Sequence, residues 1–177
     1  MKKYLKPVAV MLSIILFCGG LLALLSDLLF VTSEERIQRA INKIYSEGNV
    51  QLEQTIDVNS VDINEYNETG VIKACYKLNN GDYLVLATGK KGYSNGSITS
   101  YVAIDSECTV KNVVEDSYTG QTLMAKLSNL YQNFIGKTAD NSKNEVSEIV
   151  TGATYSSNAA SNSVYVALQF VSKIIGG

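Results

Sequence analysis

The chain has 177 residues, with 15 Lys and Arg against 17 Asp and Glu, three Cys, one Pro and neither His nor Trp. Without histidine there is no Ser-His-Asp or Cys-His nucleophile pair, no histidine zinc site and no histidine-ligated haem, and three cysteines cannot supply a four-cysteine iron–sulfur cluster. From residue 28 onward 12 basic residues stand against 16 acidic ones, a balance that disfavours nucleic acid as a partner, because backbone binding relies on clustered cations.

In chain order, the first feature is an apolar run. Pro7 to Ser26 are twenty residues without a charge, and at about 1.5 Å per residue such a helix spans about 30 Å, the thickness of a bilayer's hydrocarbon core. Lys2, Lys3 and Lys6 precede it, and Asp27, Glu34 and Glu35 follow it. The positive-inside rule therefore predicts a cytoplasmic amino terminus, a single transmembrane helix within residues 1–31, and an extracytoplasmic remainder. The run exceeds the roughly 7–15 apolar residues of a cleaved signal peptide and resumes after Asp27 as Leu28-Leu29-Phe30-Val31. Phe17 before Cys18 is too large for a lipoprotein signal. Gly19-Gly20 would allow close approach of a second helix.

Thr32-Ser33-Glu34-Glu35 reads as a capping box. A helical stalk over 32–49 follows, with Ile37, Ala40, Ile41, Ile44 and Tyr45 on one face. Residues 50–177 are predicted to form one extracytoplasmic domain. Val71–Leu78 and Tyr83–Thr88 flank Asn79-Asn80-Gly81-Asp82, a hairpin signal, and Ile98–Ile104 and Thr109–Val114 flank Asp105-Ser106-Glu107-Cys108 in the same way. Apolar spacing predicts a helix over 121–135, with Leu123, Met124, Leu127, Leu130, Tyr131 and Phe134 on one side. A polar linker from Lys137 to Asn144 leads to an expected short strand over 146–150, then a last helix from Ser157 to Ile175. Strands in one block with helices around them define an α+β domain, an antiparallel twisted sheet flanked by helices.

Cys75 and Cys108 lie on the same side of the membrane in this topology. They fit either a disulfide of an oxidising compartment or two small buried thiols. Glu115-Asp116 is a carboxylate pair suited to acid–base work or to a solvated strand edge. Gly89-Lys90-Lys91-Gly92 is no phosphate-binding loop of the nucleotide-hydrolase type, lacking the Lys-Ser/Thr ending.

Val150-Thr151-Gly152-Ala153-Thr154-Tyr155-Ser156-Ser157 describes a tight turn opening a helix, where N–H groups and the helix dipole favour a phosphate. An ordinary Ser/Thr-capped helix start has the same composition. Glu148-Ile149-Val150-Thr151-Gly152-Ala153-Thr154 resembles the flavin-acceptor motif of the FMN-binding domain found in the G subunit of the Rnf complex and the C subunit of the sodium-pumping NADH:quinone reductase. The resemblance implies covalent FMN on Thr154 through a phosphoester, with Thr151, Gly152 and Ala153 forming the turn around it. Gly89-Lys90-Lys91-Gly92-Tyr93-Ser94-Asn95-Gly96 resembles the family's glycine-tyrosine-glycine segment, which implies that Gly92 and Tyr93 lie near the cofactor. Thr119 and Gly120 fall where the family has a flavin-contacting loop. Here that loop reads Glu115-Asp116-Ser117-Tyr118-Thr119-Gly120, without the family's proline, and Glu148 stands where aspartate is usual.

The resemblance further implies a redox subunit rather than a complete enzyme, with no catalytic residue or metal of its own. Its partners would be other membrane subunits of an electron-transport complex and a magnesium-dependent flavin transferase, with Glu148 as the recognition residue. A free-standing tethered flavoprotein serving an extracytoplasmic reductase, and a non-redox anchored binding module, are the alternative expectations.

Overall fold

The computed structural model describes residues 2–29, 32–46 and 48–176, with side chains described throughout except at 2–6, 9, 24 and 26–29. The chain divides into two compact units, residues 1–37 and 38–177. In the first, helix α1 runs from Lys2 to Leu29, and its described apolar side chains from Val8 to Leu25 are exposed. Among the described residues, no helix is long and apolar enough to cross a membrane. Three of the twenty positions in the predicted span, 9, 24 and 26, have side chains outside the description. Residues 30 and 31, where the span was expected to pass into the stalk, also lie outside it.

Helix α2 covers Ser33–Ile44. The Thr32 hydroxyl accepts a hydrogen bond from Glu35 N at 3.2 Å, as the capping pattern predicts. Ile37, Ala40 and Ile41 are its buried residues.

The second unit is built on five strands: β1 Leu52–Ile56, β2 Gly70–Leu78, β3 Tyr83–Gly89, β4 Ser97–Ile104 and β5 Val110–Thr119. They form one sheet in the order β1-β2-β3-β4-β5, every neighbouring pair antiparallel. Both predicted hairpins are present. At the first turn Gly81 takes φ +88°, a conformation glycine reaches without steric cost. The Leu78 N–H meets the Asp82 carbonyl at 2.8 Å. At the second turn the Asp105 carboxylate accepts from the N–H groups of Glu107 and Thr109, the local bonding that makes aspartate a turn residue.

β5 continues to Thr119, five residues past the apolar segment that predicts it. Residues 115–119 are polar, yet they pair with Ser97–Ser100 of β4, so backbone bonding to an existing strand extends the ladder beyond the hydrophobic pattern.

Helix α4, Thr154–Gly176, packs across β2, β3 and β4. Val164, Val166, Ala167, Leu168, Phe170 and Val171 join Val85, Ala87, Ile98, Val102 and Ile104 in the core. Ala159 and Ala160 keep the amino-terminal half of α4 narrow, and a Cβ on Gly89 would collide with the Ala159 carbonyl oxygen and Ser163 N. Leu84 and Ala103 are fully buried outside that cluster. They alternate along their strands with Val85, Val102 and Ile104, so the second sheet face is also shielded from solvent at these two positions.

Two sequence expectations need correction. The helix predicted over 121–135 is two 3-10 turns, Met124–Leu127 and Leu130–Phe134. Met124, Leu127 and Leu130 recur every three residues, as do Tyr131 and Phe134, a period that matches 3.0 rather than 3.6 residues per turn. The strand expected over 146–150 is absent. A short helix α3, Lys143–Val146, held by a Ser142–Glu145 capping box, occupies the start of it. The following extended residues bond to side chains instead of a strand: Glu148 N to Ser161 Oγ and Val150 N to Ser157 Oγ, both at 3.0 Å. Of the two alternatives open for Cys75 and Cys108, the structure has free thiols, Cys75 fully buried and Cys108 half-buried. Burial pushes the Cys75 thiol up to about 12, the behaviour of an inert core cysteine.

Candidate functional site

The turn before α4 is set by its own short side chains. Gly152 adopts φ +79°, which requires glycine or a strained residue. The Ala153 N–H bonds the Val150 carbonyl at 2.9 Å. Ser157 pins the turn from within the helix, donating to the Ala153 carbonyl at 2.9 Å while accepting from Val150 N. The helical ladder begins with Ser157 N to Ala153 O. The N–H groups of residues 154–156 thus have no partner inside the helix, and the positive end of its dipole lies there.

Thr154 is exposed at this helix start. With Tyr93, Thr122, Leu123, Gly152, Ala153, Tyr155 and Ser156 it lines an open cavity of about 390 Å³, within the roughly 300–1,000 Å³ typical of small-molecule sites. The Tyr93 and Tyr155 rings sit edge to face with centroids 6.4 Å apart. Both are exposed, at 51% and 61%, so two aromatic surfaces stay available beside Thr154. A Cβ on Gly152 would lie 3.1 Å from the Lys126 ammonium. This places a cation against the turn.

Tyr93 is held by Gln121. Its N–H donates to Gln121 Oε1 at 3.2 Å, while Gln121 Nε2 donates to the Thr119 carbonyl at 2.9 Å and reaches the Tyr93 carbonyl at 3.4 Å. The same Oε1 accepts from the buried Ser156 hydroxyl at 2.7 Å. One carboxamide thus ties the Tyr93 loop, the end of β5 and the first turn of α4 together. Gly96 and Gly92 make room for it, since a Cβ at either would strike Gln121 Nε2.

The sequence-derived residues are not all in the cavity. Tyr93, Gly152, Ala153 and Thr154 line it directly, and Thr151 is exposed in the turn before them. Gly92, Thr119 and Gly120 form a layer behind Tyr93. Gly92 N bonds Gly96 O at 2.9 Å, the Thr119 hydroxyl meets the Ser97 hydroxyl at 3.1 Å, and Gly120 takes φ +68° against Gly96. Glu148 is paired with Lys137 at 3.1 Å, with Asn133 beside it.

The carboxylates of Glu115 and Asp116 are separately engaged, Glu115 accepting from the Tyr131 hydroxyl at 3.1 Å and Asp116 from Ser117 at 3.0 Å. Gln121 and Lys126 were not singled out from sequence. Gln121 lies in a stretch whose only readable signal is the apolar spacing that follows it, and Lys126 reads there as the polar side of a helix.

No protein-family profile matches the chain, and no curated protein matches it.

Proposed function

We propose that this chain is a flavoprotein of the FMN-binding-domain class, an electron carrier whose FMN is held by a phosphoester to Thr154. In particular, it acts as a subunit of an Rnf-type ion-translocating electron-transport complex, similar to the G subunit. Residues 7–26 cross the cell membrane in this reading, the amino terminus is cytoplasmic and the sheet domain is extracytoplasmic. The uncharged twenty-residue run and the lysines before it support the topology.

The observation that carries the cofactor assignment is the position of Thr154: exposed, at a helix start, on the wall of a cavity that also presents Tyr93 and Tyr155. The donor set fits a flavin phosphate. Lys126 and the helix dipole would oppose its charge, Gly152 leaves the backbone open to it, and the two tyrosines and Leu123 offer surface to an aromatic ring. Bound FMN would supply one- or two-electron transfer. The chain itself supplies attachment, orientation by the Gln121-braced loop, and a partly solvent-facing position suited to handover between proteins.

A threonine hydroxyl is too weak an acid to attack a pyrophosphate unaided, and none of the residues lining the cavity is a carboxylate or an amine. Attachment therefore needs a separate flavin transferase. Thr154 Oγ would be the acceptor of the FMN phosphoryl group, losing its hydroxyl proton to the transferase, with AMP as the leaving group of an FAD donor. Glu148, four residues beyond α3's Asn144 and held in place by Lys137, is the candidate recognition group.

The test is co-expression of the full chain with an active flavin transferase, denaturing electrophoresis and ultraviolet illumination. The expected result is a fluorescent band that disappears in Thr154→Val. A dark band from the unmutated chain would overturn the reading and leave an anchored binding module.

A further inference from the structure

A second cavity, of about 240 Å³, opens elsewhere on the sheet domain and shares no lining residue with the first. Lys91 and Lys143 line it together with Asn144 and, from α4, Asn158, Ser161 and Asn162. The α4 residues fall at i, i+3 and i+4, so they present one helix face to the cavity. No carboxylate lines it, and neither lysine makes an ion pair among the described residues.

The Lys143 ammonium donates to the Thr69 hydroxyl at 2.9 Å, which fixes its position with a neutral partner only. Burial, and then the charge of Lys91, lower its pKa, so two ammonium groups share the space without a counter-charge. The carboxamides of Asn144 and Asn158 have no hydrogen-bond partner among the described residues. Lys91 itself stands at φ +66°, a left-handed conformation that glycine would adopt more readily. Lys91, Lys143 and Asn144 are exposed at the mouth of this partly open cavity, so two like charges and unengaged amide donors converge on one polar, solvent-accessible space.

We propose that this cavity binds a phosphoryl-class oxyanion, with Lys91 and Lys143 supplying charge and Asn158 a neutral hydrogen-bond donor. Ammonium–phosphate hydrogen bonds are charge-assisted and about twice as strong as neutral ones. The volume admits a phosphoryl group with several waters, at about 30 Å³ for each water. The site stands apart from Thr154 and does not depend on flavin attachment.

The experiment is calorimetric titration of the full chain in detergent, with inorganic phosphate in one arm and AMP in the other. The expected result is saturable binding that weakens as salt is added. Lys91→Gly should raise Kd about tenfold or more, the loss of one charge-assisted contact, without lowering the melting temperature, because glycine accepts the left-handed backbone. Lys143→Gln should act in the same direction. Equal affinity in both arms identifies a free oxyanion as sufficient, and tighter AMP binding identifies the phosphoryl end of a larger molecule. Either supports the site. No saturable binding of either probe, or unchanged affinity in the Lys91→Gly, Lys143→Gln double variant, overturns it. Flavin loading of these variants is expected to equal that of the unmutated chain, so failure here and failure at Thr154 are distinguishable.

Discussion

The Ser156 hydroxyl donates a 2.7 Å hydrogen bond to the side-chain oxygen of Gln121, and both residues are buried. Two residues from the proposed attachment point, this bond fixes the first turn of α4 to the chain leaving β5. Because Gln121 also bonds Tyr93 N and the Thr119 carbonyl, it sets the spacing between Tyr93 and Thr154 across the cavity.

Gln121→Ala would strand the buried Ser156 hydroxyl and leave two part-buried backbone groups, Tyr93 N and Thr119 O, without their partner. An unsatisfied buried polar group costs about 1–3 kcal/mol, and the expected loss in urea unfolding lies in that range. In a flavin-loaded sample the freed Tyr93 loop should also alter flavin fluorescence. Unchanged unfolding would show that Gln121 does not brace the cavity.

Gly89 is where β3 meets α4 most closely. Alanine there would drive a Cβ into the Ala159 carbonyl and Ser163 N, groups that cannot yield without shifting the helix. Overpacking of this kind costs about 1–3 kcal/mol or more, so the melting temperature of Gly89→Ala should fall clearly. Gly48→Ala is the control, since a Cβ there meets nothing within 4 Å, and its melting should be unchanged.

Tyr45, just past the end of α2, is tied to the first hairpin by donating a 2.5 Å hydrogen bond to Asp82 Oδ2. Burial first, and then that bond, raise its pKa above the ordinary 10.0. A group whose folded pKa is raised contributes stability that is complete below its unfolded value and is lost as pH rises toward the folded one. Stability should therefore decline from about pH 10 upward, and less steeply in Tyr45→Phe. Tyr131, raised by burial and by the Glu115 charge, adds to the same alkaline decline and should keep part of it in the variant. Unfolding curves at pH 8 and above check this; identical slopes in variant and parent would exclude the Tyr45 contribution. At neutral pH Tyr45→Phe should cost about 1.5–3 kcal/mol, the range for a hydrogen bond to a charged group.

The four hairpin strands and the carboxyl-terminal helix were legible because each is announced locally. Asn79-Asn80-Gly81-Asp82 and Asp105-Ser106-Glu107-Cys108 carry turn chemistry within four residues, and α4 has apolar residues at helical spacing over twenty. The Thr-Gly-Ala-Thr turn was legible for the same reason. Glycine at 152 meets a left-handed φ, and the short side chain of Ser157 reaches back over four residues to hold it.

What stayed hidden depends on partners distant in sequence. Residues 146–150 look like a strand, but the N–H groups of Glu148 and Val150 were claimed by Ser161 and Ser157 of a helix not yet formed when the segment is read alone. The 121–135 stretch has apolar spacing ambiguous between periods of three and 3.6, and packing chose the tighter turn. Gln121 carries no local mark at all, since a single glutamine acquires its role only when β5, the Tyr93 loop and α4 converge on it. Sequence alone therefore determined the sheet hairpins, the apolar amino-terminal run and the motif at Thr154, whose bonds close within a few residues. Tertiary structure alone decided which side chains surround Thr154 and that Lys91 and Lys143 share a cavity, because hydrogen bonding and burial between residues distant in sequence are satisfied only once the elements meet.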